Sequence, residues 1–173
     1  MVKGLKRSLS NNLDLLTKET GAFPLWGAYF HLGPDYEIDE DVWVRLINDG
    51  LGGPKTFLSE QDPLYVDGKI PGISGRLILI SLRIGFLLPA DRGKNRDRER
   101  SATVALDIGT DDSPIIILPH DLQVKQRGDG MNDVNVTWFG YTLDTWEANG
   151  AKILMKATAP CTINRIEYVI TRI

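Results

Sequence analysis

The chain has 173 residues, enough for one domain with a short appendage and too few for two domains of ordinary size. Its 20 Lys+Arg against 23 Asp+Glu give a net charge of −3, which excludes a generally basic nucleic-acid coat. A single cysteine, Cys161, excludes an intrachain disulfide; at this length roughly two-thirds of the unfolded surface is buried and a core holds without one.

The opening Met1-Val2-Lys3-Gly4-Leu5-Lys6-Arg7-Ser8 is charged and runs into Asn11-Asn12 rather than an apolar core, so no secretory signal is expected. Leu5, Leu9, Leu13 and Leu16 recur at spacings of four, four and three, which predicts a helix or arm over residues 1–20 that ends before Gly21 and Pro24. A helix this short is marginal alone, and its leucine stripe needs something to dock on. Lys3, Lys6 and Arg7 beside that stripe are candidates for contact with an anionic lipid surface; the plainer alternative is an arm packed on its own barrel or on a sister chain.

Residues 21–173 read as a single β domain, since 16 Ile against 9 Ala, with 17 Gly and 9 Pro, favours strands and turns. A strand is expected over Leu25–Leu32 and another over Asp41–Asn48, with Val42, Val44 and Leu46 on one face. Residues 55–73, cut by Pro63, Gly68, Pro71 and Gly72, read as a long connection with one short strand at most. Arg76–Leu88 is the clearest strand, with Ile78, Ile80, Leu82, Ile84 and Phe86 on one face and Ser81, Arg83 and Gly85 on the other. Arg83 also interrupts this apolar stretch, which falls short of the ~20 residues of a transmembrane helix. The all-polar run 91–100 is an exposed loop, and 102–108 alternates again. Ile115-Ile116-Ile117-Leu118 is a continuous apolar run and predicts burial on both faces, with Pro119 marking a bend or an edge. Val134–Leu143 carries Trp138, Phe139 and Tyr141; Asn149-Gly150 predicts a hairpin into Ala151–Ala157; and Thr162–Arg172 ends the chain with Ile166, Tyr168 and Ile170 on one face. Eight main strands, centred near residues 28, 45, 81, 105, 117, 138, 154 and 167, suit an all-β, eight-stranded antiparallel jelly-roll barrel or sandwich. An immunoglobulin-like sandwich stays open.

Chemistry is sparse. His31 and His120 have no neighbouring histidine of the kind a metal-binding barrel uses, so no metal and no cofactor are expected; His31 reads as a strand end and His120 as a loop residue. Cys161 reads as a small buried thiol at a strand start, and no Gly-x-Ser-x-Gly elbow or phosphate loop is present, so no catalytic residues are assigned and an enzyme is not expected. The acidic groups at 35–41, 107–112 and 129–133 read as solvated turns, with calcium the alternative. In the 91–100 loop Arg92, Lys94, Arg96, Arg98 and Arg100 alternate with acids; Arg92, Arg96, Arg98 and Arg100 are candidates for contact with a neighbouring subunit. Trp26, Trp43, Trp138 and Trp146 offer a competing function, a carbohydrate-binding face of exposed indoles, which burial of the rings would remove.

The length, the opening Met1-Val2-Lys3-Gly4-Leu5-Lys6-Arg7-Ser8 and the strand layout resemble, over the whole chain, the single vertical jelly-roll capsid proteins, in particular the small major capsid protein of tailless, internal-membrane-containing icosahedral phages of Thermus. That resemblance implies a structural virion protein, made in the host cytoplasm, that tiles a shell with a larger single-β-barrel capsid protein above an internal lipid membrane and binds no specific nucleic acid. It carries no site residues over. Symmetric self-association as a homodimer fits a brick of this kind.

Overall fold

The structure is a computed structural model and describes residues 25–30, 35–47, 55–56, 64–88, 100–122, 124 and 131–172. It is all-β. The strands are β1 (Leu25–Phe30), β2 (Tyr36–Ile38), β3 (Val44–Arg45), β4 (Lys55–Thr56), β5 (Leu77–Leu87), β6 (Ala102–Asp107), β7 (Ile116–Leu122), β8 (Met131–Tyr141), β9 (Lys152–Ala157) and β10 (Cys161–Arg172), and one helix, α1 (Asp144–Asn149), lies between β8 and β9. All eight expected strands are present; β2 and β4 are short additions of three and two residues.

Two antiparallel sheets face each other. The larger runs β4-β1-β10-β5-β8, with β2 also on β10, and the smaller runs β3-β9-β6-β7. From β7 onward the chain changes sheet at each step, to β8, then β9, then β10, which is how a jelly roll closes two sheets around one core. Period-two alternation drives the arrangement: Ile78, Ile80, Leu82, Ile84 and Phe86 are all 2 % exposed or less, and this one row stabilises the fold by on the order of 10 kcal/mol before entropy is charged. Ile166, Tyr168 and Ile170 of β10 and Val104, Leu106, Ile153 and Met155 of the smaller sheet meet that row.

Two bulges let both ends of a strand face the core. In β10 the register steps from Ile163↔Phe86 to Arg165↔Gly85, leaving Asn164 extra. The inward positions therefore change from odd (Cys161, Ile163) to even (Ile166, Tyr168, Ile170), which no straight strand could do. In β7 the register steps from His120↔Val104 to Ile117↔Leu106, so Leu118 and Pro119 face Ala105 alone. Leu118 takes φ 50, a left-handed conformation.

Four expectations are corrected. Asn149-Gly150 is no hairpin turn: β8 and β9 belong to different sheets, and Gly150, at φ 72, ends α1 by donating its N–H to Trp146 O at 2.7 Å. Ile115–Leu118 is not buried on both faces. Among the described strands β7 is at one edge of its sheet, and Ile115, Ile116 and Leu118 are 44 %, 37 % and 48 % exposed. His120 sits on β7 rather than in a loop. The 41–48 strand shrinks to Val44–Arg45 because Asp41, at φ 58, turns the chain, and Val42 is left exposed while Leu46 is buried.

Candidate interaction surface

Alternation that buries one face of the larger sheet presents the other outward. In register, Leu77 lies opposite Tyr141 and Leu79 opposite both Phe139 and Thr171, while Ser81 lies beside Thr137 and Val169. Leu77 and Leu79 are half-buried, and Phe139, Tyr141 and Val169 are 63 %, 69 % and 39 % exposed. The half of the outer face nearest the start of β1 is therefore apolar.

The other half is a charge lattice. Arg83 grips Asp133 with two hydrogen bonds, Nε to Oδ1 at 3.1 Å and Nη2 to Oδ2 at 2.7 Å, and its Nη1 lies 3.7 Å from Glu167. Arg165 Nη1 donates to Asp133 Oδ2 at 3.3 Å, and its Nε lies 3.6 Å from Glu167. The Arg83 hydrogen bond, ahead of its charge and that of Arg165, holds the Asp133 carboxyl below its usual range against a smaller opposing effect of burial. Gly85 makes room: a Cβ there would stand 2.8 Å from Asn164 Oδ1. The two cations and two anions of this lattice balance one another, and its exposed pairs add little to stability.

The second feature is the seam where edge strands β7 and β8 approach from opposite sheets. Trp138 is buried on β8 and donates its Nε1–H to Leu118 O at 2.8 Å, tying the seam at the kink. The His120 ring stands edge-on to that indole at 5.8 Å. Above the tie, Leu118, Phe139, Tyr141 and Leu143 rim an apolar notch floored by Ile78, Ile117 and Trp138. Its volume, about 40 Å³, is far below the ~300–1,000 Å³ of a small-molecule site. An open trough below, lined by His120, Asp121, Leu122 and Val134–Thr137, carries no assembled chemistry: Asp121 accepts from Thr103 Oγ1 at 2.8 Å.

A buried ion pair sets the approach to this seam. Lys152 Nζ lies 3.0 Å from Asp107 Oδ2 and 2.9 Å from Asp111 Oδ1, and the Lys152 and Asp107 side chains are both 4 % exposed. Asp107 Oδ1 accepts from the amides of Gly109 and Ile115, each at 2.8 Å, so one carboxylate ties the 108–115 turn to the sheet and aims the apolar residues that follow. Burial pushes the Asp107 carboxyl up, but the two amides and Lys152 outweigh it and hold it below its usual range. Burial likewise pushes Lys152 down, and hydrogen bonds with Asp111 and Asp107 outweigh it and raise the ammonium. Within the acidic group at 107–112, Asp107 and Asp111 hold a lysine, and Asp111 and Asp112 are exposed on the turn. Among the described residues no three His, Cys, Asp or Glu side chains converge to hold a metal, and no helix is long and apolar enough to cross a membrane.

The contact candidates Lys3, Lys6, Arg7, Leu9, Leu13, Leu16, Arg92, Arg96 and Arg98 lie outside the described residues; Arg100 is half-buried just before β6. Cys161 is the buried first residue of β10, and burial, with a smaller effect of Glu37, pushes its thiol up to about 11. Trp138 and Trp146 are each 3 % exposed, and the half-buried Trp43 lies under Lys156 Nζ, 5.4 Å from its ring centre. These three indoles form no sugar-stacking platform. The Trp26 side chain lies outside the described residues, and among the described side chains the outward aromatics are Phe139 and Tyr141, which sequence reasoning passed over. The signal was there: from Met131 to Leu143 every second residue is exposed, and after the polar Asp133, Asn135 and Thr137 this row ends in Phe139, Tyr141 and Leu143.

No family model matches the sequence, and no curated protein matches it. Among solved structures the chain is similar to an Eiger TNF from S. frugiperda, at 11 % identity over 87 % of this chain and 94 % of that one, with a TM-score of 0.54. It also matches chains of cowpea mosaic virus empty particles, at 12 % identity over 87 % and 80 % of the two chains, and of broad bean stain virus, at 11 % identity over 87 % and 84 %. Their TM-scores are 0.29 and 0.28, so only the first bears on the fold, and nothing rests on the other two.

Proposed function

We propose that the chain is a structural brick of a virus shell, a non-enzymatic capsid protein that meets copies of itself and a larger single-β-barrel coat protein above an internal membrane. The observation that carries this reading is the exposed ridge Ile115, Ile116 and Leu118 on an edge strand, held in place by the Asp107–Lys152 pair. A domain that only needed to stay soluble would not brace apolar side chains toward water. Among the described residues the seam beside the ridge offers a notch of about 40 Å³ and an open trough of about 320 Å³, and neither gathers a set of catalytic groups. The resemblance of the whole chain to the small capsid proteins of membrane-containing phages adds the larger partner and the lipid layer to this reading.

The test is light scattering of the full chain, alone and mixed with a candidate larger coat protein. Species heavier than a monomer are expected. Ile115→Ser with Ile116→Ser should weaken the association at least about tenfold, a change of ~1.4 kcal/mol, while leaving the far-ultraviolet spectrum intact. A strict monomer that ignores every coat partner, or one that binds a glycan instead, overturns the reading.

A further inference from the structure

We infer that the leucine stripe of the chain's own amino-terminal segment, Leu5, Leu9, Leu13 and Leu16, covers the apolar half of the outer face of the larger sheet, Leu77, Leu79, Phe139, Tyr141 and Val169, in the unassembled chain. The inference concerns a different face from the Ile115–Leu118 ridge and stands without the shell reading.

Register supplies the first argument. Leu25 opens β1 opposite Arg172; Arg172 lies opposite Ile78; and Ile78 lies opposite Gly140, between Phe139 and Tyr141. One transverse row therefore joins the entry of the amino-terminal segment to the centre of the patch. It crosses three inter-strand steps, ~14 Å in all. Eight residues separate Leu16 from Leu25, nine steps that span up to ~30 Å when extended, and Gly21 and Pro24 among them let the chain turn back. The segment arrives at the apolar end of the face and not at the charged end.

Size and chemistry supply the second. The eleven helical steps from Leu5 to Leu16 would make a stripe ~17 Å long. The patch crosses β10, β5 and β8, two strand spacings or ~10 Å, and runs ~7 Å along β8 from Phe139 to Tyr141. Both surfaces need an apolar partner: the stripe because a helix of its length is marginal in water, the patch because two aromatic rings stand more than 60 % exposed on it. The neighbouring charge lattice is internally neutralised, so it neither attracts nor repels Lys3, Lys6 and Arg7.

Disulfide trapping in the full chain tests this. Pairs combining Leu9→Cys or Leu13→Cys with Tyr141→Cys are oxidised with glutathione disulfide and compared with the same arm cysteines paired to Val66→Cys, an exposed position on the loop before Ile70. Tyr141 and Val66 are exposed enough that neither substitution threatens folding, and the native Cys161 is buried and poorly ionised. A cross-link within one chain, forming roughly tenfold or more faster to Tyr141 than to Val66, is the expected result. Equal rates to the two positions, or a bond formed only between two chains, overturns the inference. So does co-sedimentation with phosphatidylglycerol vesicles that Leu9→Asp abolishes while Tyr141→Cys pairs fail to cross-link, since the stripe would then belong to lipid.

Discussion

Lys152→Met removes one charge from the least exposed ion pair of the described residues and keeps nearly the same side-chain volume. The Asp107 carboxylate stays buried, with amide donors at Gly109 and Ile115 but no counter-charge. Removing one partner of a buried pair costs ~3–5 kcal/mol, and the two remaining amides put this case at the lower end, ~3 kcal/mol out of a total stability of ~5–15 kcal/mol. Asp107→Asn should cost less, ~1–2 kcal/mol, because the amide oxygen still accepts from both backbone groups and Lys152 keeps the exposed Asp111. The double variant should therefore be more stable than the two losses added together. Urea titration at pH 7, with the slope unchanged, reads these values from the midpoints. The pH dependence has a fixed sign. A depressed Asp107 contributes stability that is whole above the ordinary carboxylate pKa of ~3.9 and fades as pH falls through its lower folded value; a raised Lys152 contributes stability that is whole below ~10.4 and fades as pH rises through its higher folded value. Wild type should hold a plateau between those limits, and Lys152→Met should lose less than wild type does on acidification. A Lys152→Met protein within ~0.5 kcal/mol of wild type at pH 7, or one more stable than Asp107→Asn, refutes the reasoning.

Leu118 holds a left-handed φ of 50 while half its surface is in water, so glycine should be tolerated there within about 1 kcal/mol, whereas valine, branched at Cβ, should lower the urea midpoint clearly; the reverse order counts against strain at the kink. Tyr168→Phe removes the hydroxyl that donates to Leu46 O at 2.7 Å in the core and links β10 to the edge of the opposite sheet, and a loss of ~1–2 kcal/mol is expected; a calorimetric melting point equal to wild type would contradict it. Cys161, with its thiol pushed up to about 11, should react with a coloured disulfide reagent at pH 8 only when the chain unfolds, and rapid reaction of the native protein would show the site to be open.

Wherever one local pattern decided the outcome, the fold was legible. Leu77–Leu87 alternates as far as Ile84 and is paired on both sides within the larger sheet, and Cys161 proved to be buried at a strand start. Reading failed where the same local signal serves two structures. Asn149-Gly150 favours a tight turn, but a glycine at positive φ serves a helix end equally well, and which of the two forms depends on Trp146, buried with its Nε1–H on Ile70 O at 2.9 Å, a contact 76 residues away. Ile115–Leu118 fails differently. A run of apolar residues is ordinarily a sign of burial, yet among the described strands β6 alone pairs with this one along its length, and Pro119 already marked a bend or an edge.

The surface was legible only as an anomaly. Alternation assigns Met131, Asp133, Asn135, Thr137, Phe139 and Tyr141 to the outward face of β8, and Asp133, Asn135 and Thr137 suit water. Phe139 and Tyr141 do not, and the row assigns them no interior place: on a strand of fixed period, turning Phe139 inward would turn Trp138 outward and break its bond to Leu118 O. The core therefore fixes where the two rings go, and selection on the core alone would have left serine or threonine in their places. Their presence asks for a second surface that the strand pattern cannot supply, and the Ile115–Leu118 ridge asks for the same on the opposite sheet. Two apolar faces held outward on one rigid domain, each braced from behind by buried polar contacts, are what a brick needs and what an isolated binding pocket would not produce.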